Sequence, residues 1–144
     1  MPIIDDAGLQ LVEAFEGCDL TAYQDTGGVW TIGYGHAGPD VHEGQTITQT
    51  EADDLLEADL RTAEQEVQNL AEIDLTPNQF SALVSFQFNT GALGSSPGVG
   101  LINARQFQEA WDDHLCLWIH DAAGNTDAGL VRRRAAERAL FFSA

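Results

Sequence analysis

Apolar residues recur at helical spacing from the start of the chain. Leu9, Val12 and Phe15 predict an amphipathic helix over about 5–17, with Asp5 or Asp6 as its N-cap. The pattern changes over 19–36, where β-formers alternate with glycine: Leu20, Tyr23, Val29, Trp30, Ile32 and Tyr34. Gly27-Gly28 supplies the turn between two short strands. Residues 37–47, with Gly38-Pro39-Asp40 and Gly44, predict a loop. Thr48 then opens a helix, and Glu51 three residues on makes a capping box. Ala52, Leu55, Leu56, Leu60, Ala63, Val67 and Leu70 form one apolar stripe, against Asp53, Asp54, Glu57, Glu64 and Glu66 on the opposite face. A run of about 22 helical residues spans about 33 Å, enough to join two lobes.

Thr76-Pro77-Asn78-Gln79 reads as an N-cap followed by proline at the first helical position. The helix it starts carries Phe80, Leu83, Val84, Phe86 and Phe88 on more than one face, so it is expected to be central and buried, ending at Gly91. Residues 94–98 predict a flexible loop, and about 100–119 one helix with Phe107, Trp111, Leu115 and Trp118 on one side. After a second loop, 121–129, the chain closes on a helix over 130–142. Mostly helix with one small antiparallel hairpin indicates the α+β class. One domain over 1–144 is expected, with a hairpin lobe at about 15–50 and a helical lobe formed by about 60–144 together with the N-terminal helix.

Length and charge narrow the function. A 144-residue chain buries roughly 68–70% of its unfolded surface and needs no disulfide or metal staple. Six cationic against 23 acidic side chains give a net charge of −17, and all six cations are arginine. That composition excludes nucleic-acid binding through a basic surface and disfavours docking on anionic membrane lipid. No apolar run approaches the roughly 18 residues of a membrane span. The opening Met-Pro-Ile-Ile-Asp-Asp lacks the cationic start of a signal peptide. Cys18 and Cys116 are expected to be free thiols, with Cys18 inert because nothing cationic is close enough to activate it. His42, His114 and His120 have no metal-site spacing, so no metal and no cofactor is expected.

Candidate chemistry is concentrated in residues 15–36. Glu16 falls at a helix end beside Phe15, Asp25 at the hairpin, and Thr31 on its second strand. A helix end folded over a hairpin brings all three to one cleft. Glycoside hydrolysis needs one carboxylic acid to protonate the leaving oxygen and a second, ionised carboxylate to activate water or steady the transition state. Burial against apolar neighbours suits a Glu to the first task, and a threonine hydroxyl can hold the water. By spacing alone, two carboxylates nine residues apart are more often solvated side chains than a catalytic pair.

The surrounding residues resolve that ambiguity. Glu16, Asp25 and Thr31 match the pattern Glu, eight residues, Asp or Cys, five residues, Thr of the phage-type lysozymes, glycoside hydrolase family 24, which includes the coliphage lysozymes. Phe15-Glu16-Gly17, Ala22-Tyr23-Gln24-Asp25 and Gly28-Val29-Trp30-Thr31-Ile32-Gly33-Tyr34-Gly35-His36 also resemble that family. So do Leu75-Thr76-Pro77-Asn78-Gln79-Phe80, Phe86-Gln87-Phe88-Asn89-Thr90-Gly91, and the stretch from Gly129 to Arg138. The resemblance spans nearly the whole chain. It implies a lysozyme (muramidase) that cleaves the β-1,4 bond between N-acetylmuramic acid and N-acetylglucosamine in peptidoglycan and lyses a bacterial host.

Residue roles follow from the same resemblance. Glu16 would be the general acid and Asp25 would activate or position water, with Thr31 helping. Coliphage relatives invert at the anomeric carbon. His36 would support the site as a structural histidine, and Asn89 would line the cleft and contact sugar. Arg133 would pair with the catalytic Glu, with Arg132 and Arg134 as register alternatives, and a helix face offsetting acidic neighbours remains the bland reading of all three. Trp30 is a candidate for stacking on substrate, whereas Trp111 and Trp118 read as core. The resemblance further implies a monomer that stays in the host cytoplasm until a holin pore gives access to the wall. Cleavage of chitin or chitosan, and non-catalytic glycan binding, are the rival readings. Since the wall is itself anionic, a charge of −17 predicts activity that tolerates or requires salt.

Overall fold

The structure, a computed structural model, describes residues 2–143. Helix α1 (Asp6–Glu16) leads into a three-stranded antiparallel sheet, β1 (Asp19–Gln24), β2 (Trp30–Gly33) and β3 (His36–Ala37), in the order β1-β2-β3. The long α2 (Gln49–Leu70) leads away from the sheet to α3 (Pro77–Thr90). Two short helices, α4 (Gly98–Asn103) and α5 (Phe107–Asp113), pack on each other, and the closing α6 (Ala128–Phe141) packs against α3.

The caps explain the helix starts. Asp5 accepts from the Gly8 N–H at 2.9 Å, and its carboxylate also takes the Ser81 hydroxyl of α3, so one side chain starts α1 and docks it. A Cβ at Gly8 would lie 2.5 Å from the Cβ of Ser81, so this close approach requires glycine. Thr48 accepts from the Glu51 N–H, which is half of the capping box its spacing predicts, while the full reciprocal box forms at Thr76 and Gln79 instead. Gly91 ends α3 in the left-handed region at φ 63°.

The core gathers on α3, where every residue from Phe80 to Gln87 is buried. Val12 of α1, Leu56, Leu60 and Val67 of α2, and Phe141 of α6 close around it. Phe86 meets Trp111 edge-on with centroids 6.4 Å apart, a favourable aromatic geometry.

Five features depart from the sequence expectations. The hairpin gains a third strand, and the following loop is tied along β1 by Ala22 N–H to Gln45 O and Ile47 N–H to Leu20 O, both 2.9 Å. Glu64, assigned to the solvent face of α2, is buried because the N-terminal segment lies over it and the Ile4 N–H donates to its carboxylate at 2.6 Å. Residues 94–98 are packed rather than loose: Leu93–Ser95 form a 3-10 turn, Ser96 is buried, and Gln87 accepts the Leu93 N–H at 2.9 Å. Trp118 is 42% exposed rather than in the core.

The single helix expected over 100–119 is broken. Arg105 adopts φ 61°, its N–H donates to Ile102 O, and the Gln106 N–H reaches back to Leu101 O. These are the two bonds of a Schellman stop with arginine where glycine is usual. Asn103 meanwhile spends its side chain on the end of α2, donating to Leu70 O and accepting from the Glu72 N–H. Relief of the left-handed strain makes Arg105→Gly stabilising by about 1 kcal/mol, read as a higher urea midpoint.

Candidate active site

Glu16 is the last residue of α1, at the end where the helix dipole disfavours a carboxylate. Gly17 turns the chain out of the helix at φ 68°. The compensating charge comes from 117 residues away: Arg133 Nη1 donates to Glu16 Oε2 at 2.7 Å. The Arg133 side chain is 4% exposed and that of Glu16 20% exposed, so the acid sits at the edge of a buried cation. The turn between β2 and β3 passes over the carboxyl from the other side. At Gly35, with φ 80°, an added Cβ would stand 3.3 Å from Glu16 Oε1.

Asp25 closes the β1–β2 turn. Its Oδ1 accepts the Gly27 N–H at 2.8 Å and the Val29 N–H at 2.9 Å, which fixes the carboxylate at an exposed position. Thr31 is anchored to the same residue, its hydroxyl donating to Val29 O at 3.0 Å. With its proton so committed, that hydroxyl meets a further partner as an acceptor. Tyr23 stands opposite Thr31 across the ladder and is 39% exposed. Burial, then the charges of Asp19, Glu16 and Asp25, push its phenol above the usual tyrosine range, so it lies within the field of both candidate carboxylates. In the sequence Tyr23 is a β-former within the stretch Ala22-Tyr23-Gln24-Asp25, with no role at the site assigned to it. Trp30 opens β2 opposite Gln24 and is half-buried.

His36 lies at the sheet's far edge and contacts neither carboxylate of the pair. Its Nδ1 meets Asp59 Oδ2 of α2 at 2.8 Å, and its Nε2 meets Asp40 Oδ2 at 3.0 Å. Burial pushes its pKa down, but the two carboxylate bonds outweigh this and the net shift is upward. Asp40 is held below the usual carboxylate range, chiefly by its bond to His36. A folded pKa above the unfolded value of about 6.5 means a contribution complete below that pH and lost as pH rises through the folded value. The Tm difference between wild type and His36→Asn is therefore expected to be largest below the unfolded value of about 6.5 and to shrink as pH rises above it.

Behind Glu16 runs a buried polar ladder. Besides Glu16, Arg133 serves Glu137 through Nε at 3.3 Å and the Ser85 hydroxyl through Nη2 at 3.3 Å. Glu137, fully buried, accepts the Ser85 hydroxyl at 2.6 Å and Arg134 Nη2 at 3.0 Å. Arg134 Nε also stands 2.6 Å from Glu137 Oε1, off the line of a good hydrogen bond. Arg134 then reaches Asn89 Oδ1 at 2.8 Å and Trp118 O at 3.3 Å, its guanidinium over the Phe86 ring. Burial pushes Glu137 up and Arg134 down, each opposed by the other's charge. Of the three register alternatives, Arg133 contacts Glu16, Arg134 contacts Asn89, and Arg132 is exposed. Sequence reasoning missed Ser85, Glu137 and Asp59. The four-residue gap from Arg133 to Glu137 was the available signal for the second.

Cys18 is exposed and Cys116 half-buried, with no bond between them. Among the described residues, no group of three or more His, Cys, Asp or Glu is placed to hold a metal, and no helix is long and apolar enough to cross a membrane.

The chain is similar to known proteins in sequence and fold. An endolysin of Bacillus phage B103 is 42% identical over 144 aligned residues, covering 97% of this chain and 54% of the relative. The endolysin of Salmonella phage P22 is 38% identical, covering 97% of this chain and 98% of the relative. The chain thus spans about half the length of the first and nearly all of the second. Among solved structures, the muramidase domain of SpmX from Asticaccaulis excentricus superposes with a TM-score of 0.90 at 38% identity, covering all of both chains. Residues 13–137 match the family model described as phage lysozyme. By its sequence from the acid-bearing helix to the buried ladder, and by its fold, the chain belongs to the phage lysozyme family.

Proposed function

We propose that this chain is a lysozyme that hydrolyses the β-1,4 bond between N-acetylmuramic acid and N-acetylglucosamine in peptidoglycan, with Glu16 as general acid. The single observation that carries the reading is a pair of carboxylates acting on one phenol, Tyr23: Glu16, held by Arg133, and Asp25, pinned by two backbone N–H groups. In this reading Glu16 protonates the leaving oxygen, which lets the glycosidic bond break. Asp25 takes a proton from the attacking water or orients it, and the Thr31 hydroxyl accepts a hydrogen bond from the O–H that the water keeps. Asn89, aimed by Arg134, lines the cleft for a sugar amide or hydroxyl, and Trp30 offers a face for stacking. His36 stiffens the sheet edge against α2 and transfers no proton.

The test is reducing-sugar release from purified peptidoglycan, chitin and chitosan by the wild-type chain. Release from peptidoglycan alone supports the proposal. Release from chitosan or chitin alone replaces the substrate, and binding without release replaces the enzyme with a glycan-binding protein. The same assay across a NaCl series reads the charge of −17: activity rises from salt-free buffer as the Debye length falls to about 10 Å near 0.1 M, and a maximum in salt-free buffer overturns the salt requirement.

Gly35→Ala is expected to lower turnover severalfold, because the added carbon, 3.3 Å from Glu16 Oε1, makes that carboxyl give way slightly, where a full 1 Å displacement can cost about 100-fold. Gly44→Ala shares a φ of 80° but has nothing within 4 Å of the added carbon, so it loses stability without losing turnover.

A further inference from the structure

We propose that Glu137 is a positioning residue for both walls of the active site, acting on Glu16 through Arg133 and on Asn89 through Arg134. The inference rests on the lysozyme reading above and adds a residue that never touches substrate.

The geometry makes Glu137 the shared pivot. It is 0% exposed, and its Oε2 collects three donors: the Ser85 hydroxyl at 2.6 Å, Arg134 Nη2 at 3.0 Å and Arg133 Nε at 3.3 Å. Each arginine then has its outer nitrogen aimed forward, Arg133 Nη1 at Glu16 and Arg134 Nη2 at Asn89. A guanidinium is rigid and planar, so fixing one edge of the fork fixes the direction of the other. Ser85 completes the clamp on Arg133 by accepting from Nη2 through its hydroxyl, at 3.3 Å, and through its carbonyl, at 3.4 Å. Burial matters as much as the count of bonds. The Arg133 and Arg134 side chains are 4% and 1% exposed, so no solvent competes for their remaining donors. The four charges sum to zero, and removal of Glu137 leaves Arg133 with Glu16 and Arg134 with Asn89 and a backbone carbonyl but no carboxylate.

The expectation is specific to turnover. Glu137→Asp keeps the charge but withdraws the carboxylate by one methylene, so it cannot meet both arginines and Ser85 at once. Its kcat is expected to fall about 10–100-fold at a temperature well below its own Tm, with KM changed less than threefold. Glu137→Gln keeps the shape and loses the charge, and is expected to lose at least as much kcat. Arg138→Gln on the same helix breaks the surface pair with Asp112 and the contact over the Phe142 ring, leaves Glu137 its partners, and keeps wild-type kcat.

The measurement is kcat and KM on soluble peptidoglycan fragments, with the folded fraction fixed by circular dichroism at the assay temperature. Glu137→Asp that is folded and turns over as wild type overturns the inference, since a purely structural Glu137 lowers Tm and leaves kcat alone. If Glu137→Gln does not fold, the Glu137→Asp result decides by itself. A wild-type chain inactive on peptidoglycan overturns the lysozyme reading instead, and the two failures are told apart by that one control.

Discussion

Glu16→Gln is expected to lower peptidoglycan hydrolysis by about 10²–10⁴-fold while the fold persists. The amide has the shape of the acid and still accepts the Arg133 Nη1 hydrogen bond, but it carries no acidic proton for the leaving oxygen. Arg133 does not become an orphan, because Glu137 and Ser85 remain within 3.3 Å of its other nitrogens. The stability cost is therefore small beside the catalytic one. Initial rates on peptidoglycan, paired with a thermal melt of each protein, separate the two. Activity within tenfold of wild type removes Glu16 from the role of acid, whatever the melt shows.

The second large effect is on stability. Glu137→Ala is expected to cost about 3–5 kcal/mol, because deleting one partner of a buried ionic cluster leaves the Arg134 cation without a carboxylate. Two guanidiniums at 4% and 1% exposure then face each other without the carboxylate between them. Against a total of about 5–15 kcal/mol for a domain, this is a fifth or more of the stability, and a Tm loss of roughly 10 °C is expected. The surface pair Arg61–Glu57 gives the contrast. Both side chains are 68% exposed, and Arg61→Ala is expected to change stability by less than about 1 kcal/mol. Urea unfolding of the two variants reads both values, and equal losses would contradict the account of burial.

The contrast between these sites also marks what could be read from sequence. The block from Glu16 to His36 was legible because its chemistry is local: a helix end, a tight turn and a strand, each with its own residue signature. The caps at Asp5, Thr48 and Thr76 were legible for the same reason, since a cap is decided within four residues. The break at Asn103–Gln106 was not, because its stop uses Arg105 in the left-handed region instead of the glycine that would announce it. Glu64 looked solvent-exposed because the residue that buries it, Ile4, comes from 60 positions earlier. Asp59 is 23 residues from His36 and became its partner only once α2 lay beside the sheet. Glu137 was hidden by its own chemistry. In a helix rich in arginine, a glutamate four residues after Arg133 has the pattern of a solvated ion pair, and only the packing of α6 on α3 turns that pair into a buried clamp.

The measurement that tests the account most directly identifies the sugar at the new reducing end. Peptidoglycan digested by the wild-type chain and then reduced with borohydride is expected to yield N-acetylmuramitol termini, and the Glu16→Gln digest none above background. New N-acetylglucosaminitol termini, or muramitol release that persists undiminished in Glu16→Gln, would contradict a muramidase in which Glu16 supplies the proton.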